Sequence, residues 1–169
     1  MNWEAFFTLH SDLPREGPGC PADVDWACNL AGIAKTARIL DAGCGPGADN
    51  ETLLSQAPDG HVTAVDAHAP FVAQARAVHG EDPRVTLIVG DMTSVDGPFD
   101  FIWCAGALYF LGLEEGRRLM SDKHAPGGCL AFSHLVYFVA DPDPELQRAL
   151  QLEMPDIAGV DALQDRVRA

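Results

Sequence analysis

The chain has 169 residues, of which 47% are hydrophobic, so it is long enough to form one globular domain with a sizeable core. Acidic residues outnumber basic residues by 25 to 11, and the resulting formal charge of −14 repels phosphate backbones and anionic lipid surfaces. The charge therefore argues against nucleic-acid and membrane partners; its main role is solubility, with attraction of a cationic ligand as the alternative.

The cysteines and the N-terminus indicate the cellular compartment of the protein. Five cysteines lack the paired spacing of a metal site, and their odd number argues against a disulfide framework. The first residues have neither the basic nor the apolar region of an export signal, and no apolar run reaches membrane-spanning length. We therefore predict a cytoplasmic protein without a metal site.

Residues 1–35 predict two helices joined by a loop rich in proline and glycine. The second helix begins near Pro21 and carries an apolar face. Between residues 36 and 135, short apolar runs alternate with helical patterns, which is typical of a parallel sheet with right-handed crossovers. The predicted strands, each apolar enough to be buried on both faces, are 37–41, 61–66, 85–89, 99–104 and 129–135.

Helices are predicted between these strands and after the last one. One places Phe71, Val72, Ala75 and Val78 on a single apolar face, and another spans 114–123. After residue 135, an Asp-Pro-Asp-Pro segment precedes one amphipathic helix, and a further helix starts at 161. No sixth or seventh strand is predicted, so the fifth strand is expected to be the edge of an incomplete sheet.

The first predicted strand ends in a glycine-rich turn that opens a helix. Gly43, Gly45 and Gly47 lack the Cβ that would keep a ligand away from the main chain, and they tolerate the angles of a tight turn. The pattern Gly43-x-Gly45-x-x-Ala48 also matches the dinucleotide fingerprint, in which a helix N-terminus holds a pyrophosphate. Glycine spacing alone therefore leaves the ligand open.

Three carboxylates narrow the choice of ligand. Asp41, just before the glycines, would repel a diphosphate but could pair with the α-ammonium of a methionine moiety. Asp66 and Asp91 end the next two strands and face the same crevice, although a single aspartate there could equally cap a helix. Asp66 suits ribose hydroxyls in either kind of cofactor, whereas Asp91 with Met92 suits the amine and face of an adenine.

With these motifs in order, residues 36–135 resemble a class I S-adenosylmethionine-dependent methyltransferase. The matching segments are 39–47, 65–67, 90–92, 99–108 and 125–130. The N-terminal segment 6–19 is also similar to a segment of small bacterial methyltransferases of this class. The resemblance implies an α/β Rossmann-like, doubly wound parallel sheet of order 3-2-1-4-5, with the family's usual last two strands missing.

The resemblance also implies a domain plan and a cofactor site. Residues 1–35 would be a helical lid segment, 36–135 the cofactor-binding core, and 136–169 the helical start of a substrate-side insert. S-adenosylmethionine would be the methyl donor and S-adenosylhomocysteine the product. The residues expected to bind the cofactor are Asp41, Gly43, Cys44, Gly45, Gly47, Asp66, Ala67, His68, Asp91, Met92 and Cys104.

The expected reaction is an in-line displacement that transfers the methyl group to a small molecule, and it needs a general base only if the acceptor must lose a proton. The candidate bases are His134, His10 and Tyr109, each with a structural role as the alternative. Two other functions are considered: an NAD-dependent oxidoreductase or epimerase, and a non-catalytic S-adenosylmethionine-binding protein. The acceptor atom and the oligomeric state are left open, with a homodimer as one option.

Overall fold

The computed structural model describes residues 3–11 and 13–168, without the side chains of Trp3 and Glu153. Helices and strands alternate through most of the chain, and two short 3-10 turns follow the third and fourth strands. In chain order, the elements are α1 Trp3–His10, α2 Pro21–Ala31, β1 Arg38–Ala42, α3 Asn50–Gln56, β2 His61–Asp66, α4 Ala69–His79, β3 Val85–Val89, β4 Phe99–Cys104, α5 Leu113–Ser121, β5 His124–Phe132, β6 Val136–Tyr137, α6 Pro144–Glu153, β7 Ala158–Gly159 and α7 Val160–Arg168.

The main sheet has five parallel strands in the order β3-β2-β1-β4-β5, which confirms the predicted fold class and strand order. The register aligns the carboxyl ends of the strands. Asp41 on β1 lies opposite Ala64 on β2 and Trp103 on β4, and Trp103 lies opposite Ala131 on β5. Parallel strands with their ends in register form one crevice, and this is where such sheets bind ligands.

Helices cover both faces of the sheet, because successive strand residues point to opposite sides. Ile39 and Phe101 are fully buried in the cluster that includes residues of α2 and α3. Leu40 and Ile102, one residue further along each strand, are fully buried in a second cluster with Met120 of α5. The chain therefore has a core layer on each side of the sheet.

The structure corrects some predicted boundaries. Strands β2, β3 and β4 match their predictions, β1 is shifted by one residue, and α5 begins and ends slightly earlier than predicted. Strand β5 begins five residues earlier and ends three residues earlier than predicted. The early start arises because the strand continues through Pro126 and Gly127. Its pairing with β4 is irregular between Phe99 and Phe101. Val78 was predicted to be buried but is 73% exposed.

The region after β5 contains a second, very small sheet. Strands β6 and β7 form a parallel pair through two residues each, which was not predicted. They lie outside the main sheet, which has no sixth or seventh strand in the described part of the chain, as predicted. Two residues are too few to produce an alternating pattern in the sequence, which explains the omission. Helices α6 and α7 were predicted in this region and are present. None of the helices in the described part of the chain is both long and apolar enough to span a bilayer.

Candidate cofactor and substrate site

The glycine-rich turn after β1 is held tightly against its neighbours. The backbone N–H groups of Gly43 and Cys44 both donate to the carbonyl of Val65 on β2, at 2.9 and 3.0 Å. Gly43 has φ +78°, and a Cβ there would collide with Ala107 in the loop after β4. Gly47 has φ +85°, and its Cβ would lie 2.9 Å from the Cβ of Ala75 on α4. Glycine is therefore required at both positions by conformation and by packing.

Asp41 is a buried carboxylate without a full set of partners. Asp41 is the second-to-last residue of β1 and lies beside the turn. It is only 3% exposed, and its Oδ2 has no hydrogen-bond partner among the described residues. Burial raises the pKa of Asp41 well above its usual value, the carboxylates of Asp49 and Asp66 raise it further, and the nearby Arg15 opposes them. A positively charged hydrogen-bond donor placed here would satisfy Oδ2 and favour the ionised form.

Asp66, at the end of β2, connects two loops of the crevice. Its Oδ2 accepts from the Gly45 N–H at 2.9 Å, and its Oδ1 accepts from the His68 N–H at 2.7 Å. Each carboxylate oxygen can accept more than one hydrogen bond, so these contacts orient the group without exhausting it. Ala67 lies between them and is exposed.

Residues 10–19, which we call the strap, cross this crevice. Residue 12 lies outside the described residues. Arg15 forms a bidentate ion pair with Asp49 at the start of α3, with Nη1 3.0 Å from Oδ2. The Trp103 indole N–H also donates to Asp49 Oδ2, at 2.8 Å. A Cβ on Gly45 would lie 3.4 Å from Glu16 Cγ. The strap is thus fastened directly over the glycine turn.

Two aromatic contacts hold the N-terminal segment in place. The Phe7 ring stacks on the His68 ring with centroids 3.6 Å apart, and the Phe6 ring stacks on His10 at 4.0 Å. His10 Nδ1 also lies 2.7 Å from Glu16 Oε2, within the strap. His68 therefore lies between the predicted ribose site at Asp66 and α1, and His10 is engaged in holding the strap together.

The remaining predicted cofactor residues lie deeper or further along the crevice. Asp91 Oδ1 accepts from the Thr93 N–H at 2.7 Å, which caps a 3-10 turn and lowers the pKa of Asp91. Met92 is half-buried against the core cluster on the α5 side. The thiols of Cys44 and Cys104 are both buried, and burial raises the pKa of Cys104 to about 12.

Next to this crevice lies a cavity of about 230 Å³. Its walls come from the strap, the first turns of α2, and the carboxyl ends of β4 and β5. The lining residues are Arg15, Pro18, Gly19, Cys20, Asp23, Trp26, Ala27, Trp103, Ala105, Ala131, Phe132 and Ser133. The cavity lies one strand away from Asp41, because Asp41 and Trp103 are neighbours in the sheet register.

Two of the three predicted bases lie near each other, and none of the three lines this cavity. His134 lies two residues after β5; its Nδ1–H donates to the Leu135 carbonyl at 2.9 Å, and its Nε2 is buried without a partner among the described residues. The Tyr109 ring lies 6.4 Å from the His134 ring, and burial raises the pKa of Tyr109. His10 lies on the strap, away from both.

Sequence reasoning missed the ion pair that fastens the strap. None of its three members, Arg15, Asp49 and Trp103, was among the site residues predicted from the sequence. An arginine within the Pro-Arg-Glu-Gly-Pro-Gly segment was the available signal, but its partner is 34 residues away in the chain. His79, for which the sequence suggested no partner, approaches the Gly47 carbonyl at 3.2 Å.

Comparison with solved structures shows the same fold. The chain is similar to an S-adenosylmethionine-dependent methyltransferase from Geobacter sulfurreducens in complex with S-adenosylhomocysteine, with a TM-score of 0.78 and 23% identity over 95% of this chain and 67% of that one. A second such complex, from Thiobacillus denitrificans, has a TM-score of 0.79 and 21% identity over 97% and 68% of the two chains.

Curated relatives match the same core. The chain is 33% identical to malonyl-[acyl-carrier protein] O-methyltransferase of Enterobacter lignolyticus over 67% of this chain and 43% of that protein. It is 29% identical to trans-aconitate 2-methyltransferase of Methylobacterium nodulans over 73% of this chain and 47% of that protein. The chain thus spans less than half the length of either relative. Residues 39–128, more than half of the chain, match the methyltransferase domain family, and the chain therefore belongs to that family.

Proposed function

We propose that this protein transfers the methyl group of S-adenosylmethionine to a small molecule. The observation that carries the proposal is the buried carboxylate of Asp41, which has an unpartnered oxygen at the crevice mouth beside the glycine turn. A buried carboxylate without a partner is costly, and a ligand ammonium would remove that cost. A methionine moiety carries such an ammonium.

The residues around Asp41 fit the rest of the cofactor. Asp66 is oriented by two backbone N–H groups and retains lone pairs for ribose hydroxyls. Asp91 and Met92, one strand further, suit an adenine amine and ring face, although the Asp91 side chain also caps a turn. Gly43, Cys44 and Gly45 would line the backbone side of the ligand. Bound there, S-adenosylmethionine supplies a methyl group that its sulfonium already activates.

The work left to the protein is alignment and the exclusion of water. The strap and α1 support both, because Arg15 and Glu16 of the strap lie over the glycine turn and Phe7 of α1 stacks on His68. Holding two reactants in line can contribute roughly 7 to 11 kcal/mol in well-oriented cases. The strap and α1 therefore serve as the lid in this proposal. One named relative acts on trans-aconitate and the other on a malonyl group carried by a protein, so both support a small acceptor group.

A general base remains a prediction. His134 is the best placed of the three candidates, since its Nε2 is unpartnered among the described residues and Tyr109 lies beside it. His10 is assigned instead to the strap, through Glu16. The dinucleotide alternative is disfavoured because Asp41 and Glu16 would place negative charge near a pyrophosphate.

We further propose the cytoplasm as the compartment, with neither nucleic acid nor membrane as a partner. All five cysteines carry free thiols, which fits a reducing environment. The formal charge of −14 disfavours binding to phosphate backbones and anionic lipids.

The proposal is tested by thermal unfolding with S-adenosylhomocysteine or NAD. At a hundredfold excess over the dissociation constant, S-adenosylhomocysteine should stabilise the chain by about 2.7 kcal/mol, a shift of several degrees, and NAD should not. Asp41→Asn should weaken S-adenosylhomocysteine binding by about tenfold or more, because a charge-assisted contact is worth roughly 1.5 to 3 kcal/mol. Asp161→Asn, at an exposed position of α7, is the control for the loss of one carboxylate. A shift with NAD alone, or unchanged affinity in Asp41→Asn, would overturn the proposal.

A further inference from the structure

The cavity beside the strap lies where a methyl acceptor would have to approach. In the sheet register, Asp41 on β1 is followed by Trp103 on β4 and Ala131 on β5, and the cavity is lined by the last two. Apart from Cys104 on β4, the predicted cofactor residues lie at or just after the ends of β1, β2 and β3, and none of them lines the cavity. A second ligand bound in the cavity would therefore lie next to the cofactor.

The cavity has aromatic walls. Trp26 on α2 is 67% exposed although it is the largest apolar side chain type, and its exposed surface lines the cavity. Trp103, whose indole N–H is already bonded to Asp49, and Phe132 also line the cavity, together with the small side chains of Ala105 and Ala131. An apolar ligand in the cavity would therefore meet aromatic side chains from α2, β4 and β5.

Two charged side chains line the cavity, Arg15 and Asp23. Arg15 is neutralised by its bidentate pair with Asp49. Asp23 has no arginine or lysine partner among the described residues; its Oδ2 accepts the Cys20 N–H at 2.8 Å, which leaves its charge in place. A Cβ on Gly19 would lie 3.5 Å from Asp23 Oδ2 and 3.7 Å from Arg15 Nη1, so carboxylate and ion pair border the same narrow opening. This setting repels a carboxylate ligand and attracts an ammonium.

The polar lining of the cavity consists of Arg15, Asp23, Cys20 and Ser133, and none of the predicted bases His134, Tyr109 and His10 lines it. A carboxylate such as that of Asp23 is a weak base toward a hydroxyl. An acceptor whose attack does not depend on a strong protein base therefore suits this lining best. Amines in their neutral form and carboxylates both meet that requirement, and the charge of the lining favours the amine.

Resting on the proposed function, we infer that this cavity is the acceptor site and that it takes a small aromatic primary or secondary amine. The amine enters as an ammonium, attracted by Asp23 and the ring faces, and releases one proton to water. Its nitrogen lone pair then forms the N–C bond as the S–C bond breaks, and the electron pair of that bond stays on sulfur. The positive charge moves from sulfur to nitrogen, so a negative lining suits reactants and product alike.

The experiment uses the full chain and three probes of similar size: phenethylamine, phenylacetate and 2-phenylethanol. S-adenosylhomocysteine binding is measured first by calorimetry, and each probe is then titrated into the saturated complex. We expect phenethylamine to bind at least fivefold more tightly than 2-phenylethanol, and phenylacetate to bind most weakly, since partly exposed charge and cation–π contacts are each worth about 0.5 to 1 kcal/mol. With S-adenosylmethionine, mass spectrometry should detect N-methylphenethylamine and no methyl ester.

Two variants connect the preference to the lining. Asp23→Asn should weaken phenethylamine binding by about three- to fivefold and leave 2-phenylethanol unchanged, because only the charge is removed. Asp25→Asn is the matched control on the same helix, since its side chain bonds Gln56 and does not line the cavity. Trp26→Ala should weaken the binding of phenethylamine and of 2-phenylethanol by roughly fivefold each, through lost ring contact.

The other results would overturn the inference. Tighter binding of phenylacetate, equal effects of Asp23→Asn and Asp25→Asn, or displacement of S-adenosylhomocysteine by phenethylamine would each do so, the last by showing that the cavity belongs to the cofactor site. If S-adenosylhomocysteine binds and no probe does, the amine inference fails while the proposed function stands. If S-adenosylhomocysteine itself does not bind, the proposed function fails and this inference fails with it.

Discussion

The cofactor side of the crevice and the region after β5 differ in how their polar groups are held. On the cofactor side, both oxygens of Asp66 accept backbone N–H groups, and Asp49 is held by Arg15 and Trp103. After β5, His134 Nε2 and the Tyr137 hydroxyl are buried without partners among the described residues. Large apolar side chains there are also exposed, Phe138 and Leu152 among them.

The difference indicates which part of the site is preorganised. The sheet register and the strap hold most polar groups of the cofactor side, and the buried atoms left without a partner there are Asp41 Oδ2, Glu16 Oε1 and the side-chain amide of Asn50. The region after β5 is supported by a pair of two-residue strands and by short helices. Its polar groups would gain hydrogen bonds only when another group reaches them. Specific variants can test this contrast.

The largest effect is expected at the glycine turn. Gly43→Ala adds a Cβ that collides with Ala107 at φ +78°, so strain and overpacking together should reduce the free energy of unfolding by about 2 to 4 kcal/mol. Gly106→Ala is the control: its φ is +72°, but no atom lies within 4 Å of the added Cβ, so only strain of about 1 kcal/mol is expected. Urea unfolding measures both values. Equal losses would show that Ala107 yields and that the turn is not held rigidly.

A smaller effect is expected from the charge of Asp41. Because burial raises the pKa of Asp41, the folded chain binds more protons than the unfolded chain between the ordinary aspartate pKa of about 4 and the raised value. The free energy of unfolding should therefore decrease as pH rises through that window. Asp41→Asn should remove this slope and make the unliganded chain more stable at pH 7 by about 1 to 2 kcal/mol.

Urea unfolding of both proteins from pH 4 to pH 8 measures this dependence. The same variant should bind S-adenosylhomocysteine more weakly, so stability and affinity change in opposite directions. A variant less stable than the parent at pH 7 would mean that the Asp41 carboxylate already has a partner in the unliganded protein.

The smallest effect is expected after β5. Tyr137→Phe removes a buried hydroxyl without a partner while keeping the ring, so the free energy of unfolding should be unchanged or higher by up to about 1 kcal/mol. Differential scanning calorimetry would measure it. A loss of more than 1 kcal/mol would show that the hydroxyl is hydrogen-bonded in solution, and the contrast with the cofactor side would then disappear.

Much of the fold could be predicted because buried parallel strands are nearly continuous apolar segments. Strands β2, β3 and β4 follow this rule and have the predicted bounds. Strand β5 does not, because Pro126 and Gly127 interrupt its pattern while tertiary pairing with β4 carries the strand through them. Val78 follows the helical period of α4 but lies beyond the part of the helix that the sheet covers, so it is exposed.

The candidate site likewise has a part that the sequence predicts and a part that it does not. The sequence by itself determined the glycine turn and the positions of Asp41 and Asp66, because a parallel sheet brings residues at its strand ends into one crevice. Only the tertiary structure decided that Arg15 pairs with Asp49, that Trp103 supports that pair, and that the strap closes one wall of a cavity. These contacts join residues 34 and 54 positions apart, and no local pattern records a partner that distant in the chain.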